Sequence, residues 1–559
     1  MGFWVNEFPK YFVLFIWLGI NVMLFALDYI KFDDEKKYFY LKYIVKTGLP
    51  VARGSAAMLN FNCMLILFPV CRNLLSLIRD FPFLPHAVGR IMDKNITFHR
   101  MIAYMICFAT ALHLGAHIFN FEYLIASRDA TTGLTKYLND FKDGEDKDRL
   151  NPIESAGLDP VLELLQTVAG ITGVIITISL ITMVSSSTEL IRRSYFEVFW
   201  FTHHLFVVFF IGMLFHGFGE LLRSQNNTSE HNPEYCSQDD RYNTDSECQK
   251  PPRFSAAGPQ SWKWIIAPMG LYLIERCIRF YRSFQTCEVK KVVKHPSKVI
   301  EVQMRKPGFR AQAGQYIFLH CPSISPLEWH PFTLTSCPEE DFFSVHIRIV
   351  GDWTQALSNS CGNDTDNVDV SKIPRLACDG PFGTASTDVF RHENVICCGA
   401  GIGVTPFASI LKSIWYRQQR KDTTLRIKKV YFYWICPDTN AFEWFSDLLQ
   451  SLEQQMMEKG EMGFLEYNIY LTRGWGKGDA RNIILHENDE EDVITGLKQK
   501  TNFGRPNWDE IFRTTAIKHK GSDVGVFFCG PAILSHTLHE MSNKHSNETT
   551  KFYYNKENF

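Results

Sequence analysis

Long apolar runs fill the first half of this 559-residue chain, and short alternations of apolar and polar positions fill the second. A helix crossing the roughly 30 Å hydrocarbon core of a bilayer needs about 20 apolar residues. Six runs meet that length, at residues 9–29, 49–78, 99–121, 163–187, 196–217 and 261–282. Beyond residue 286 the period shortens to two. Runs at 289–293, 299–304, 316–320 and 342–350, parted by turns such as His295-Pro296-Ser297, predict strands of an antiparallel barrel. From about residue 390, strands near 395–398, 428–436, 464–472 and 523–529 alternate with helical stretches, as in a doubly wound parallel sheet. The pattern divides the chain into three parts, 1–282, 283–388 and 389–559.

Composition changes this picture little. A net charge of −2 gives no electrostatic footprint for nucleic acid. The first apolar run lacks a small-residue cleavage site and reads as a membrane helix, not a removable leader. Positive residues in the loops orient the helices. Arg79, Arg90, Lys94 and Arg100 flank the second loop, Arg192 and Arg193 the fourth, and Arg276, Arg279 and Arg282 the end of span six. With six spans these share one side, which puts both termini in the cytosol. The first loop dissents: Lys31, Lys36, Lys37, Lys42 and Lys46 fall outside, partly offset by Asp33, Asp34 and Glu35. The fifth loop, about 218–260, carries overlapping glycosylation sequons at Asn226 and Asn227. It also holds Cys236 and Cys248, the two of fifteen cysteines that fall in a predicted exoplasmic loop, where an oxidising compartment favours a disulfide.

Four histidines stand inside the apolar runs: His99 and His113, 14 residues apart, and His203 and His216, 13 apart. At about 1.5 Å rise per residue, each pair spans roughly 20 Å. Ionisable groups at membrane depth mark functional sites. Two such helices side by side present imidazoles at two depths, the arrangement that two stacked haems need. On an ideal helix, 14 residues bring a side chain back to within about 40°, whereas 13 leave it about 140° away. Starting from His204 still leaves about 120°. Periodicity therefore does not choose between His203 and His204. It does require the fifth span to bend or change pitch, with Gly212 as the candidate position.

In the soluble half, a strand near 395–398 runs into Gly399-Ala-Gly401-Ile-Gly403-Val-Thr405-Pro406 and then a helix to about residue 419. A glycine-rich turn at a helix start lets backbone amides approach a pyrophosphate. Two more motifs accompany it: His330-Pro331-Phe332-Thr333, closing a barrel strand, and His346-Ile-Arg348-Ile-Val-Gly351-Asp-Trp353-Thr354. Cys529-Gly530-Pro531 ends the last predicted strand, and the final residue is the aromatic Phe559.

Together these motifs closely resemble the catalytic haem subunits of the vertebrate phagocyte-type NADPH oxidases. The resemblance runs nearly end to end, through residues 192–200, 327–333, 379–385 and 555–559. It implies a six-helix transmembrane haem domain, then an antiparallel β-barrel flavin domain and a doubly wound α/β nucleotide domain of the ferredoxin-reductase kind. It further implies a superoxide-forming oxidase that uses NADPH, FAD and two b-type haems. Residue by residue, His99 with His203 resembles the inner haem pair and His113 with His216 the outer, with Phe209 between. His330, Pro331, Phe332 and Thr333 match the flavin-contacting motif. His346 and Arg348 match positions near the FAD pyrophosphate, and Gly351, Trp353 and Thr354 complete that motif. Gly399, Gly401, Gly403, Thr405 and Pro406 match the NADPH pyrophosphate loop. Cys529 matches the residue beside the nicotinamide, and Phe559 the aromatic that covers the flavin. Arg53 and His117 match residues around the oxygen site. By the same resemblance, partners are a small membrane subunit, cytosolic organiser and activator subunits, and a Rac-type small GTPase. The location implied is the plasma membrane or a phagosomal or endosomal membrane.

Three segments depart from the family pattern. The second loop, around Phe81 and Arg90, is less basic than the family pattern. Pro437 stands where relatives carry an arginine for the NADPH 2′-phosphate, while Arg505 matches the family's other such arginine. The segment from Arg473 to Lys477 looks expanded. The competing readings are a ferric or cupric reductase on the same scaffold, and a non-enzymatic proton pathway or assembly scaffold. The first would be signalled by outward-facing Cys, Met or carboxylate clusters near the outer haem, and the second by loss of the haem, flavin or nucleotide motifs.

Overall fold

The computed structural model describes all residues except 80, 82–85, 141–148, 154–158, 296–297, 362–372, 438–442, 461–462, 473–491, 493–494 and 558–559. It forms two compact units: residues 14–71 with 95–274, and residues 1–13, 72–94 and 275–559.

Among the described residues, five helical segments are long and apolar enough to cross a membrane: Phe8–Asp34, Gly48–Val70, Asn95–Arg128, Val168–Ser186 and Phe196–Gly219. The sixth apolar run is also a helix, Ser261–Phe284, with Pro268 inside it. Its Lys263, Glu275, Arg276, Arg279 and Arg282 keep it outside that apolar set. The second span is shorter than the apolar run suggests. Pro69 lies in a tight turn over Phe68–Val70, and a separate helix Arg72–Arg79 follows. Proline cannot donate to the preceding turn and helps to end the helix there.

The fifth span breaks, as its histidine spacing demands, but not at Gly212. Helix Phe196–His203 stops, His204 and Leu205 form a turn, and Phe206–His216 resumes. Gly212 serves a different purpose. A Cβ there would meet Ile176 Cγ2 at 2.4 Å, so glycine permits the close approach of the Val168–Ser186 helix. Past this span, β1 (Arg223–Gln225) pairs antiparallel with β2 (Phe254–Ala256). Between them Cys236 and Cys248 are joined in a disulfide, with Cα atoms 5.7 Å apart.

In the second unit, the antiparallel strands are β3 (Thr286–His295), β4 (Val299–Arg305), β5 (Tyr316–His320), β6 (His330–Thr333), β7 (Phe343–Arg348) and β8 (Leu376–Phe382). Their order is β6-β5-β8-β3-β4-β7. A bridge between Leu334 and Val345 joins the two edges and closes the barrel. Alternate residues of β4 and β7, among them Ile300, Val302, Val345 and Ile347, fill its core. The remaining strands are β9 (Asn394–Ala400), β10 (Lys429–Cys436), β11 (Leu465–Leu471), β12 (Asn502–Phe503), β13 (Val524–Cys529) and β14 (Phe552–Lys556). All pair in parallel, in the order β12-β11-β10-β9-β13-β14. The alternation of strand and helix anticipates this sheet apart from β12 and β14, which are short and carry Asn and Lys.

Candidate functional site

The histidines of the membrane unit meet in two pairs. Ring centroids lie 6.3 Å apart for His99 and His203, and 6.4 Å for His113 and His216. Two imidazoles on opposite sides of one metal, each with a bond of about 2.0 Å and about 1.2 Å from nitrogen to ring centre, stand roughly 6.4 Å apart. The observed spacings fit one iron between each pair. In every case the second ring nitrogen is engaged. His99 Nδ1 lies 3.0 Å from the Ile66 carbonyl and His113 Nδ1 3.0 Å from the Ala52 carbonyl. His216 Nδ1 is 3.0 Å from Thr172 Oγ1, and His203 Nδ1 is 3.3 Å from Ser187 Oγ. Such partners fix ring orientation and turn Nε2 toward a metal. His204 is different: it is exposed, its Nδ1 lies 2.7 Å from Trp200 O on its own helix, and it packs edge-on to Trp200.

His113 and His216 also line a cavity of about 240 Å³ with Arg53, His117 and Phe209. The His117 ring stands 4.5 Å from that of His113. The Arg53 guanidinium lies 4.9 Å from the Phe32 ring, and its Nε has no hydrogen-bond partner among the described residues. Arg53 thus brings a cation to the lining of this cavity.

In the barrel, Trp353 brings two motifs together. Its ring lies 4.4 Å from His330 and 6.1 Å from Phe332. His330 Nε2 is 3.0 Å from Glu328. Thr333 is buried opposite Tyr316, and Pro331 is exposed on the same strand. Gly351 caps the helix Asp352–Ser360, where Thr354 Oγ1 accepts from the Val350 and Gly351 amides. Arg348 is exposed on the strand that leads to this helix start, a setting that suits an anionic phosphate. His346 lies inward of it, its Nδ1 2.8 Å from Thr335 Oγ1 and its ring stacked on His295. Burial, with His295 and Lys412 nearby, holds its imidazole well below the usual range.

The glycine turn sits against the end of β13. Cys529 pairs directly with Gly399, and Gly401 adopts a φ of 56°. The helix Thr405–Gln419 begins at once, with Pro406 in its first turn. Burial pushes the Cys529 thiol up, so it stays protonated. Pro437 and Arg505 are both exposed, just past the carboxyl ends of β10 and β12. Open α/β sheets bind ligands along that edge. Phe559, Arg473 and Lys477 lie outside the described residues.

Sequence reasoning missed a buried charged cluster at the second loop. Arg79 pairs with Asp93 and, at 3.0 Å, with Asp388. Glu557 is buried with them and accepts from the Ser386 amide at 3.4 Å. Burial raises its carboxyl to about 7, and that of Asp93 to about 6 against the opposing pull of Arg79. Nothing local in the sequence signals this cluster. Its members come from residues 79, 93, 388 and 557.

Residues 53–214 match the family described as ferric reductase like transmembrane component, 284–386 the FAD-binding domain, and 392–543 the ferric reductase NAD binding domain. NADPH oxidase 1 of Mus musculus is similar at 48% identity over 569 residues, covering all of this chain and 95% of the relative. NADPH oxidase 3 of Homo sapiens is similar at 48% over 571 residues, covering all of both chains. A superoxide-generating NADPH oxidase heavy chain of Dictyostelium discoideum is similar at 42%, over all of this chain and 98% of the relative.

Proposed function

The chain belongs to the NADPH oxidase family, and we propose that it carries electrons from cytosolic NADPH across a membrane to oxygen, releasing superoxide on the exoplasmic side. It is a membrane protein and an NADPH-dependent oxidoreductase that uses FAD and haem. When bound, FAD would supply the conversion of one hydride's electron pair into single electrons, which haem can carry one at a time.

The chain's own residues hold and orient these groups. His99 with His203 and His113 with His216 would each hold one haem iron, while the carbonyl and hydroxyl partners keep the rings in place. Oxygen would be met in the cavity that Arg53 and His117 line beside His113 and His216. Positive charge there favours an anion as it forms. His330, Pro331, Phe332 and Thr333 flank the flavin, with Phe559 covering it. Arg348, Gly351, Trp353 and Thr354 take its pyrophosphate, with His346 behind them. Gly399, Gly401, Gly403, Thr405 and Pro406 cradle the NADPH pyrophosphate, Arg505 meets the 2′-phosphate, and Cys529 sits beside the nicotinamide.

The matched imidazole spacings, 6.3 and 6.4 Å, carry this reading. Both termini lie in the cytosol, which the Cys236–Cys248 disulfide and the sequons at Asn226 and Asn227 support as markers of the opposite side. Family kinship supports a small membrane partner, organiser and activator proteins and a Rac-type small GTPase, in the plasma membrane or a phagosomal or endosomal membrane. The decisive experiment supplies NADPH to the cytosolic face of sealed membranes. A probe signal on the far side that superoxide dismutase abolishes is the expected result. Ferric-chelate reduction at comparable rates without oxygen would instead establish a metal reductase.

A further inference from the structure

Strands β3, β4 and β7 lie side by side in the barrel, and Val292, Ile300 and Ile347 point from them into its core. The opposite face of the same strands carries a different set. Glu301 on β4 stands directly across from His346 on β7. His295 on β3 stands across from Val299, two residues before Glu301. Residues two apart on a strand share a face, and such diagonal neighbours are within reach of long side chains. One ligand atom from each of His295, Glu301 and His346 lies within 4.8 Å of the other two.

The trio is largely withdrawn from solvent. The His346 and Glu301 side chains are 9% and 15% exposed, and His346 Nε2 lies 4.0 Å from Glu301 Oε2. That separation is too long for a hydrogen bond. The His346 ring stacks on that of His295, with centroids 5.5 Å apart. Outer partners orient two of the three. Thr335 Oγ1 lies 2.8 Å from His346 Nδ1, and Gln303 Nε2 donates to Glu301 Oε1 at 3.0 Å. Nε2 and Oε2 are therefore the atoms that face each other. The nearby cation Lys412 is drawn to Glu340, at 3.3 Å.

We infer that His295, Glu301 and His346 form a binding site for a divalent transition metal of the zinc kind. Two imidazoles and a carboxylate, oriented by outer hydrogen bonds, are a donor set that zinc takes, with a fourth position open to water. Hard ions such as calcium and magnesium take oxygen ligands instead. Around a tetrahedral zinc with bonds of about 2.0 Å, ligand atoms stand roughly 3.3 Å apart, so closing the site needs side-chain shifts of only about 1 Å. Strand β4 lies between β3 and β7, which do not pair with each other. The ion would tie them across β4 and stiffen that side of the barrel.

The test uses the full-length protein in lipid nanodiscs, loaded with haem and FAD and freed of loose metal by a chelator. Zinc is titrated in, bound zinc per chain is measured by equilibrium dialysis, and X-ray absorption at the zinc edge reads the ligands. The parent should hold one tightly bound zinc with nitrogen and oxygen neighbours at about 2.0–2.2 Å, two of them imidazoles. Glu301→Gln and His295→Gln should each weaken that binding at least ten-fold. Thr335→Val removes only an outer partner and should still weaken it about ten-fold, since such partners are worth 10- to 100-fold in affinity. Haem and FAD contents report the folding of each variant, and Glu301→Gln decides the matter if the His295 chain does not accumulate. A parent that binds no zinc overturns the inference, and so does equal affinity in the parent and Glu301→Gln. A sulfur neighbour near 2.3 Å for the tight ion overturns it too, because it would place the zinc on cysteines.

Discussion

Cys529 stands directly opposite Gly399 across the β9–β13 ladder, and a Cβ on Gly403 would meet the Cys529 carbonyl at 2.4 Å. The glycine turn and Cys529 are thus packed backbone to backbone. Gly403→Ala must push the turn away, because the obstacle is main chain and cannot rotate aside. We expect at least a ten-fold rise in the NADPH Michaelis constant, a displacement of roughly 1.4 kcal/mol or more. Haem absorbance should be unaffected, and an unchanged constant would show that the turn does not hold the nucleotide.

Haem content should follow the four paired histidines and spare their neighbour. His113→Ala or His216→Ala should remove haem, and His203→Ala likewise. His204→Ala should keep most of it, because its ring faces Trp200 and its own helix. Reduced-minus-oxidised spectra decide this. Haem loss in the His204 variant with His203 dispensable would reverse the assignment.

Nucleotide preference should be incomplete in this chain. Arg505 and Pro437 follow strands on either side of β11, at the same end of the sheet. A charge-assisted hydrogen bond to phosphate contributes about 1.5–3 kcal/mol, and proline has no side-chain donor. Pro437→Arg should lower the NADPH Michaelis constant about ten-fold or more and leave that for NADH almost unchanged. Unchanged values for both would mean that another group already fills the role.

The buried acids give stability a definite pH slope. Glu557 is raised from 4.5 to about 7, so it holds its proton more tightly folded than unfolded. Its contribution is complete below 4.5 and is lost as pH rises to about 7. Asp93, raised to about 6, adds a loss in the same direction. Glu557→Gln cannot ionise, and its melting temperature should fall less than the parent's between pH 5 and 7.5. A parallel fall in both chains would refute the assignment.

Arg79 is the buried cation of this cluster, only 7% exposed, while the more exposed Arg391 also reaches Asp388 at 3.2 Å. Arg79→Met would remove the pairing of Asp93 and leave Asp388 to Arg391 alone. Breaking a buried pair from one side costs roughly 3–5 kcal/mol. The expected readout is early melting of the flavin and nucleotide half, with haem spectra retained at low temperature. Melting indistinguishable from the parent would mean that water already screens the pair.

The sequence by itself determined the periods. Apolar runs fixed the helical spans, alternation fixed β3–β5 and β7, and the glycines of 399–403 placed a turn between strand and helix, because each is a property of a few neighbouring residues. Tertiary structure decided which histidine turns inward, since the turn at His204–Leu205 re-aims the helix and Ser187 orients the ring of His203. It also shortened the second span at Pro69 and gathered Arg79, Asp93, Asp388 and Glu557 into one buried cluster. Asn6 accepts from the Tyr554 amide of β14 across 548 positions of sequence. Hydrophobic period records only whether a residue is buried, and the partner across such a distance is chosen by chain topology and close packing.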